Sequence, residues 1–121
     1  MKQKIVLHIE DDADQRDVVA RKISARYDYR GVESAEEGEK LLAEKNLSII
    51  ILDLALPLMN GFEFLKKNKR QIMERNIQVI ITTGLDGAGI EDLVHEHHCA
   101  AYYKKPFRIP EFINKVKELA G

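Results

Sequence analysis

"SIIILDLALP", residues Ser48 to Pro57, is the stretch on which the fold of this chain turns. Three isoleucines and a leucine lead straight into Asp53, and apolar residues follow it. The run is short, rich in β-branched residues and apolar on both faces. That is how a strand covered on both sides of a parallel sheet reads. An ionised carboxylate is expensive to bury. Asp53 must therefore be held by partners, or be carried by the strand to a surface where something charged meets it.

Outward from this run, the rest of the chain alternates. "KIVLHI" (Lys4–Ile9), "IQVIITT" (Ile77–Thr83) and "AAYYKK" (Ala100–Lys105) read as strands, and "YRGV" (Tyr29–Val32) as a short, weak one. Between them lie segments with helical spacing of apolar residues: 13–27, 34–45, 61–73, 89–98 and 109–121. Ser34 with Glu37 three positions on is a capping-box signal. Pro110 suits a first helical turn, and Gly121 follows the end of the last helical pattern. A strand–helix unit repeated five times predicts a parallel sheet with helices on both faces, joined by right-handed crossovers.

Composition sets the remaining bounds. The 121 residues suffice for one domain and are too few for two, so a single domain over 1–121 is expected. The net charge of −1 gives no argument for a nucleic-acid or membrane partner. Cys99 is the single cysteine, which rules out an internal disulfide and fits a reducing, cytoplasmic setting. The N-terminus does not resemble a signal peptide, and no apolar run is long enough to span a bilayer.

Ligands of such sheets bind at the carboxyl ends of the strands. Here those ends carry Glu10, Asp11 and Asp12, then Asp53, then Thr82 and Thr83, then Lys104 and Lys105 before Pro106. Converging on one rim, they form a group of carboxylates, hydroxyls and ammonium. Oxygen ligands without His or Cys favour a hard cation, of which Mg²⁺ is the natural candidate. A lysine is a point charge suited to phosphate, and a carboxylate can itself accept a phosphoryl group. Singly, each residue has a plainer reading: Asp12 or Asp14 as a helix cap, Lys105 as part of a turn. Their joint occurrence points to phosphoryl chemistry.

Four motifs in order, "IEDD", "ILDLALPLMNG", "VIITTG" and "YYKKPF", resemble the receiver domain of two-component response regulators over the whole chain, from Lys4 to about Ala120. The resemblance implies a doubly wound, flavodoxin-like (βα)5 sheet of strand order 2-1-3-4-5. It implies that Asp53 is the phosphoacceptor. Asp11 would bind Mg²⁺ directly, Glu10 through water, and the backbone carbonyl of Ala55 would complete the metal site. Thr83 would be the switch hydroxyl, with Gly84 as the small residue beside it. Lys105 would face the phosphate, with a cis bond to Pro106, and Tyr102 would be the aromatic that turns inward on activation. Pro57 and Gly61 match the turn into the third helix. A sensor histidine kinase or a histidine phosphotransfer protein would be the donor. The output would be a downstream protein effector or a further domain, with no membrane and no direct nucleic-acid contact. Such a protein is a switch rather than an enzyme with its own substrate.

Ala55 and Leu85, two residues beyond the acceptor and the switch threonine, are apolar where the family often carries polar side chains. Such side chains cannot orient an attacking water, so slow loss of the phosphoryl group is expected. Three other readings fit less well. A haloacid-dehalogenase-like phosphatase wants a second aspartate at position 55. A flavodoxin-like nucleotide module wants a glycine-rich loop where "EDDADQ" stands. A binding-only pseudo-receiver would not need the full set of site residues. His95, His97, His98 and Cys99 do not share one helical face and read as polar residues at a helix end rather than zinc ligands. "KKNKR" (Lys66–Arg70) reads as a solvated helix face. His8, inside the first strand, reads as a packed or hydrogen-bonded core histidine.

Overall fold

The computed structural model describes residues 3–55, 60–84 and 88–121. Five strands, β1 (Ile5–Ile9), β2 (Asp28–Val32), β3 (Leu47–Asp53), β4 (Gln78–Thr83) and β5 (Ala101–Lys104), alternate with five helices. The helices are α1 (Ala13–Ile23), α2 (Ala35–Lys40), α3 (Gly61–Glu74), α4 (Ala88–Glu96) and α5 (Ile109–Ala120). All strand pairs are parallel, in the order β2-β1-β3-β4-β5. The expected topology is therefore the observed one. The chain goes outward from β1 to β2 and then crosses to the other side of β1, so strand order reverses between β1 and β3.

The two-sided apolar strands divide their side chains between two cores. Ile50 and Leu52 of β3 pack with Leu7, Ile9, Phe64, Val79 and Ile81 on one face. Ile49 and Ile51 pack with Val6, Val19, Ile23, Ile80, Phe112 and Val116 on the other, under α1 and α5. This is the period-two alternation of a strand, read on a sheet with both faces covered.

Helix ends are where the sequence pattern and the structure part. α1 ends at Ile23 and α2 at Lys40, short of the segments 13–27 and 34–45. After α2 the backbone tightens: Leu41, Leu42 and Glu44 donate to carbonyls three residues back. This keeps Leu42 in the core without a full α-helical turn. α3 and α4 end on left-handed residues that are not glycine, Asn76 (φ 54°) and His98 (φ 56°). The next residues, Ile77 and Cys99, donate to carbonyls five back, at Ile72 and Val94. That is the Schellman closure, and it stops α4 at Glu96 rather than His98.

Caps fix the entry of the helices nearest the strand ends. Asp12 accepts from the backbone N–H of Asp14 and Gln15, so it opens α1. Ser34 accepts from Glu37, and Asn60 from Glu63. Among the described residues, no helix is long and apolar enough to cross a membrane.

Candidate functional site

The register brings the strand ends level. Ile9 pairs with Leu52 and Asp53 with Thr82, so the residues just past β1 and at the tip of β3 lie side by side. Glu10, Asp11 and Asp53 each offer a carboxylate oxygen, and the three atoms lie within 4.8 Å of one another. Glu10 and Asp53 are buried, whereas Asp11 is exposed. Lys105, just after β5, reaches over both buried acids. Its Nζ donates to Glu10 Oε1 at 2.6 Å and to Asp53 Oδ2 at 3.2 Å. The peptide bond from Lys105 to Pro106 is cis.

Backbone donors complete the setting of the acids. The N–H of Ala55 donates to Asp53 Oδ1 at 3.1 Å, and that of Asp12 to Glu10 Oε2 at 3.2 Å. Arg16 of α1 donates to the Glu10 carbonyl at 2.6 Å, which ties the first helix to the acid loop. Gly61 closes the other side. A Cβ there would lie 2.8 Å from Leu54 Cα and 2.9 Å from the Asp53 carbonyl oxygen, so only glycine lets α3 begin this close to the end of β3.

Electrostatics follow from burial and crowding. Burial pushes the Glu10 carboxyl up to about 7, and the nearby Asp53 charge adds to this. The hydrogen bonds from Lys105 and from the Asp12 backbone oppose it. Burial alone would lower Lys105, but the bond to Glu10 and the charges of Asp53 and Glu10 outweigh it and hold the ammonium above the ordinary lysine value. Three carboxylates facing one ammonium leave an excess of negative charge, held on oxygen atoms alone. The donor set suits a hard divalent cation such as Mg²⁺.

Of the other residues singled out in the sequence, Thr83, Gly84 and Ala55 lie beside this rim and Tyr102 does not. Thr83 is fully buried at the end of β4, and the exposed Gly84 follows it. A Cβ at Gly84 would meet nothing within 4 Å. Ala55 is exposed beside Asp53. Tyr102 is not gathered to the rim: it stands 37% exposed, and its hydroxyl donates to Glu91 Oε1 of α4 at 2.9 Å. Pro57 and Leu85 lie outside the described residues. His8 is buried below Glu10, its Nδ1 2.7 Å from the Tyr29 hydroxyl. Burial, then the charges of Lys105 and Arg16, hold His8 down at about 3, so the imidazole is neutral.

Two residues here had no role in the sequence reading. Arg16 lies six positions beyond Glu10, and nothing in its spacing marks the contact. Thr82 was seen at a strand end but given no task. Yet the alternation of β4 places it on the face of Ile80 and of Asp53, and its Oγ1 is buried with no hydrogen-bond partner among the described residues.

Comparison with known proteins agrees with this geometry. The family model described as the response regulator receiver domain matches residues 6–117. The polar-differentiation response regulator DivK of Brucella ovis is 32% identical over 95 residues, which cover 78% of this chain and 77% of that protein. The non-phosphorylated HemR receiver domain of Leptospira biflexa superposes with a TM-score of 0.88 at 22% identity, covering 98% of this chain and 95% of that one. The BeF3-activated DrrB receiver domain superposes with a TM-score of 0.81 at 22% identity, covering 98% and 97%.

Proposed function

The chain belongs to the response regulator receiver domain family, and from that premise we propose that Asp53 accepts a phosphoryl group from a phosphohistidine on a sensor kinase or phosphotransfer protein. The observation that carries this reading is Lys105 bridging Glu10 and Asp53 at the tip of β3. An Asp53 carboxylate oxygen forms the new bond to phosphorus while the P–N bond to the donor imidazole breaks. The electron pair leaves with the imidazole, which takes up a proton. Lys105 faces the charge that spreads over the equatorial phosphoryl oxygens. Glu10, Asp11 and Asp53, with the Ala55 carbonyl, would hold Mg²⁺, which when bound supplies further neutralisation of that charge.

Thr83 and Gly84 stand next to this rim and form the switch in this reading. Tyr102, linked to α4 through Glu91, carries the change to the surface of α4, β5 and α5. A local gain of charge then biases a two-state element. The chain acts as a cytoplasmic switch that assists only its own phosphorylation and dephosphorylation, and its output is a contact with a protein effector or a further domain.

The test is intact mass after incubation with acetyl phosphate and Mg²⁺. One phosphoryl adduct is expected on the native chain and none on Asp53→Asn. No adduct on the native chain, or equal adducts on both, defeats the reading.

A further inference from the structure

Lys105 leaves the end of β5, whereas the acids it binds belong to β3 and the β1 end, and β4 lies between β5 and β3. The backbone N–H of Lys105 donates to the Thr83 carbonyl at 2.7 Å, so the lysine starts against the edge of β4. To reach Asp53 its side chain must pass over the β4 residue that faces the same side. That residue is Thr82, the register partner of Asp53 on one side and of Tyr103 on the other. Thr82, Lys105, Glu10 and His8 line one cavity of about 520 Å³ between α1 and the β5–α5 connection.

Two unmet valences border this one cavity. An ammonium has three N–H donors, and Lys105 spends two on Glu10 and Asp53. Thr82 is 1% exposed, and its Oγ1 has no partner among the described residues. A buried hydroxyl left unbonded costs free energy, and valine would fill the same volume without that cost. We propose that Thr82 is a positioning residue for Lys105 in the phosphorylated chain: its hydroxyl, which makes no bond to the lysine in the resting structure, then accepts the third ammonium N–H and aims the lysine at the phosphoryl group on Asp53. The inference rests on Asp53 being the phosphoacceptor. Once one Asp53 oxygen is bonded to phosphorus, the lysine loses part of its present anchor, and the Thr82 hydroxyl is a neutral acceptor on the wall of the same cavity that then takes up the ammonium.

The test compares the native chain with Thr82→Val, which removes only the hydroxyl, and Thr82→Ser, which restores it. The first readout is the ¹⁵N ammonium signal of Lys105, assigned by its loss in Lys105→Arg. The second is affinity for beryllofluoride in the presence of Mg²⁺. With beryllofluoride and Mg²⁺ bound, the Lys105 signal should be protected from exchange in the native chain and in Thr82→Ser, and lost in Thr82→Val. Beryllofluoride should bind Thr82→Val roughly tenfold more weakly, the scale of one hydrogen bond to a charged group, with the melting temperature not lowered. Unchanged binding and an unchanged lysine signal in Thr82→Val overturn the proposal, as does Thr82→Ser behaving like Thr82→Val. If the native chain binds no beryllofluoride and forms no phosphoryl adduct, the phosphoacceptor reading fails; beryllofluoride binding that Thr82→Val leaves unchanged overturns only the role given to Thr82.

Discussion

Replacing His8 by leucine should change how the stability of this protein depends on pH. His8 is 3% exposed, and its imidazole is held down at about 3, against an ordinary value of 6.5. The unfolded chain therefore binds a proton on His8 below pH 6.5, while the folded chain does not until about pH 3. Stability from this group is whole above 6.5 and drains away as pH falls towards 3. Between about pH 7.5 and about pH 5 the loss covers roughly 1.5 pK units, or about 2 kcal/mol. Urea melts of the native chain and of His8→Leu at those two values, with EDTA present, give the difference directly. The variant leaves the Tyr29 hydroxyl unpaired, but that phenol stays protonated throughout, so the cost cancels between the two pH values. Glu10 works in the opposite sense. Its folded value of about 7 lies above the ordinary 4.5, so its ionisation lowers stability as pH rises through that interval. The two slopes overlap and nearly cancel in the native chain. His8→Leu should consequently lose stability as pH rises from about 5 to about 7.5, by about 2 kcal/mol more than the native chain does. Parallel pH profiles for the two proteins would falsify the assignment of His8 as a buried neutral base.

Three shorter predictions follow from the same geometry. Gly61→Ala should lower stability by about 1–3 kcal/mol in urea melts, because the added Cβ meets backbone at Leu54 and Asp53 rather than a movable side chain; a neutral effect would show that α3 can retreat from β3. Gly31→Ala should displace the Tyr29 ring, whose atoms lie 2.8 Å from the new Cβ, and so break the bond to His8. A ¹⁵N shift of His8 Nδ1 that stays at its native value would count against this. Ala55→Glu should shorten the lifetime of the phosphorylated protein severalfold by giving an attacking water a polar neighbour, and an unchanged lifetime by mass spectrometry would remove the argument from the apolar residue at 55.

The parts of this molecule that follow from one strand's chemistry were readable in its sequence. The two-sided run before Asp53 implied covered faces, and alternation with helices implied parallel strands, so the acids and the lysine at strand ends had to share one rim. What escaped depends on distances between strands. The shortened α2 reflects a local choice between α and 3₁₀ hydrogen bonds around Leu41 and Leu42, which periodicity does not resolve. The partner of His8 sits on β2, where Tyr29 lies along its own strand over Gly31, the register partner of His8. Nothing in the residues near His8 names that tyrosine. Tyr102 was expected as a switch aromatic, and only coordinates show its hydroxyl tied outward to Glu91. Thr82 has its facing fixed by alternation, but its lack of a partner emerges only when every neighbour is in place.

The bond between Lys105 and Glu10 joins residues 95 positions apart. In chain order Glu10, Asp11 and Asp53 come well before the ammonium that meets the two buried acids. The last strand is thus the one that brings the counter-charge to acids set by the first and third. The ion pairs that gather the acids are therefore closed only when the sheet is complete, because their cation comes from the far end of β5.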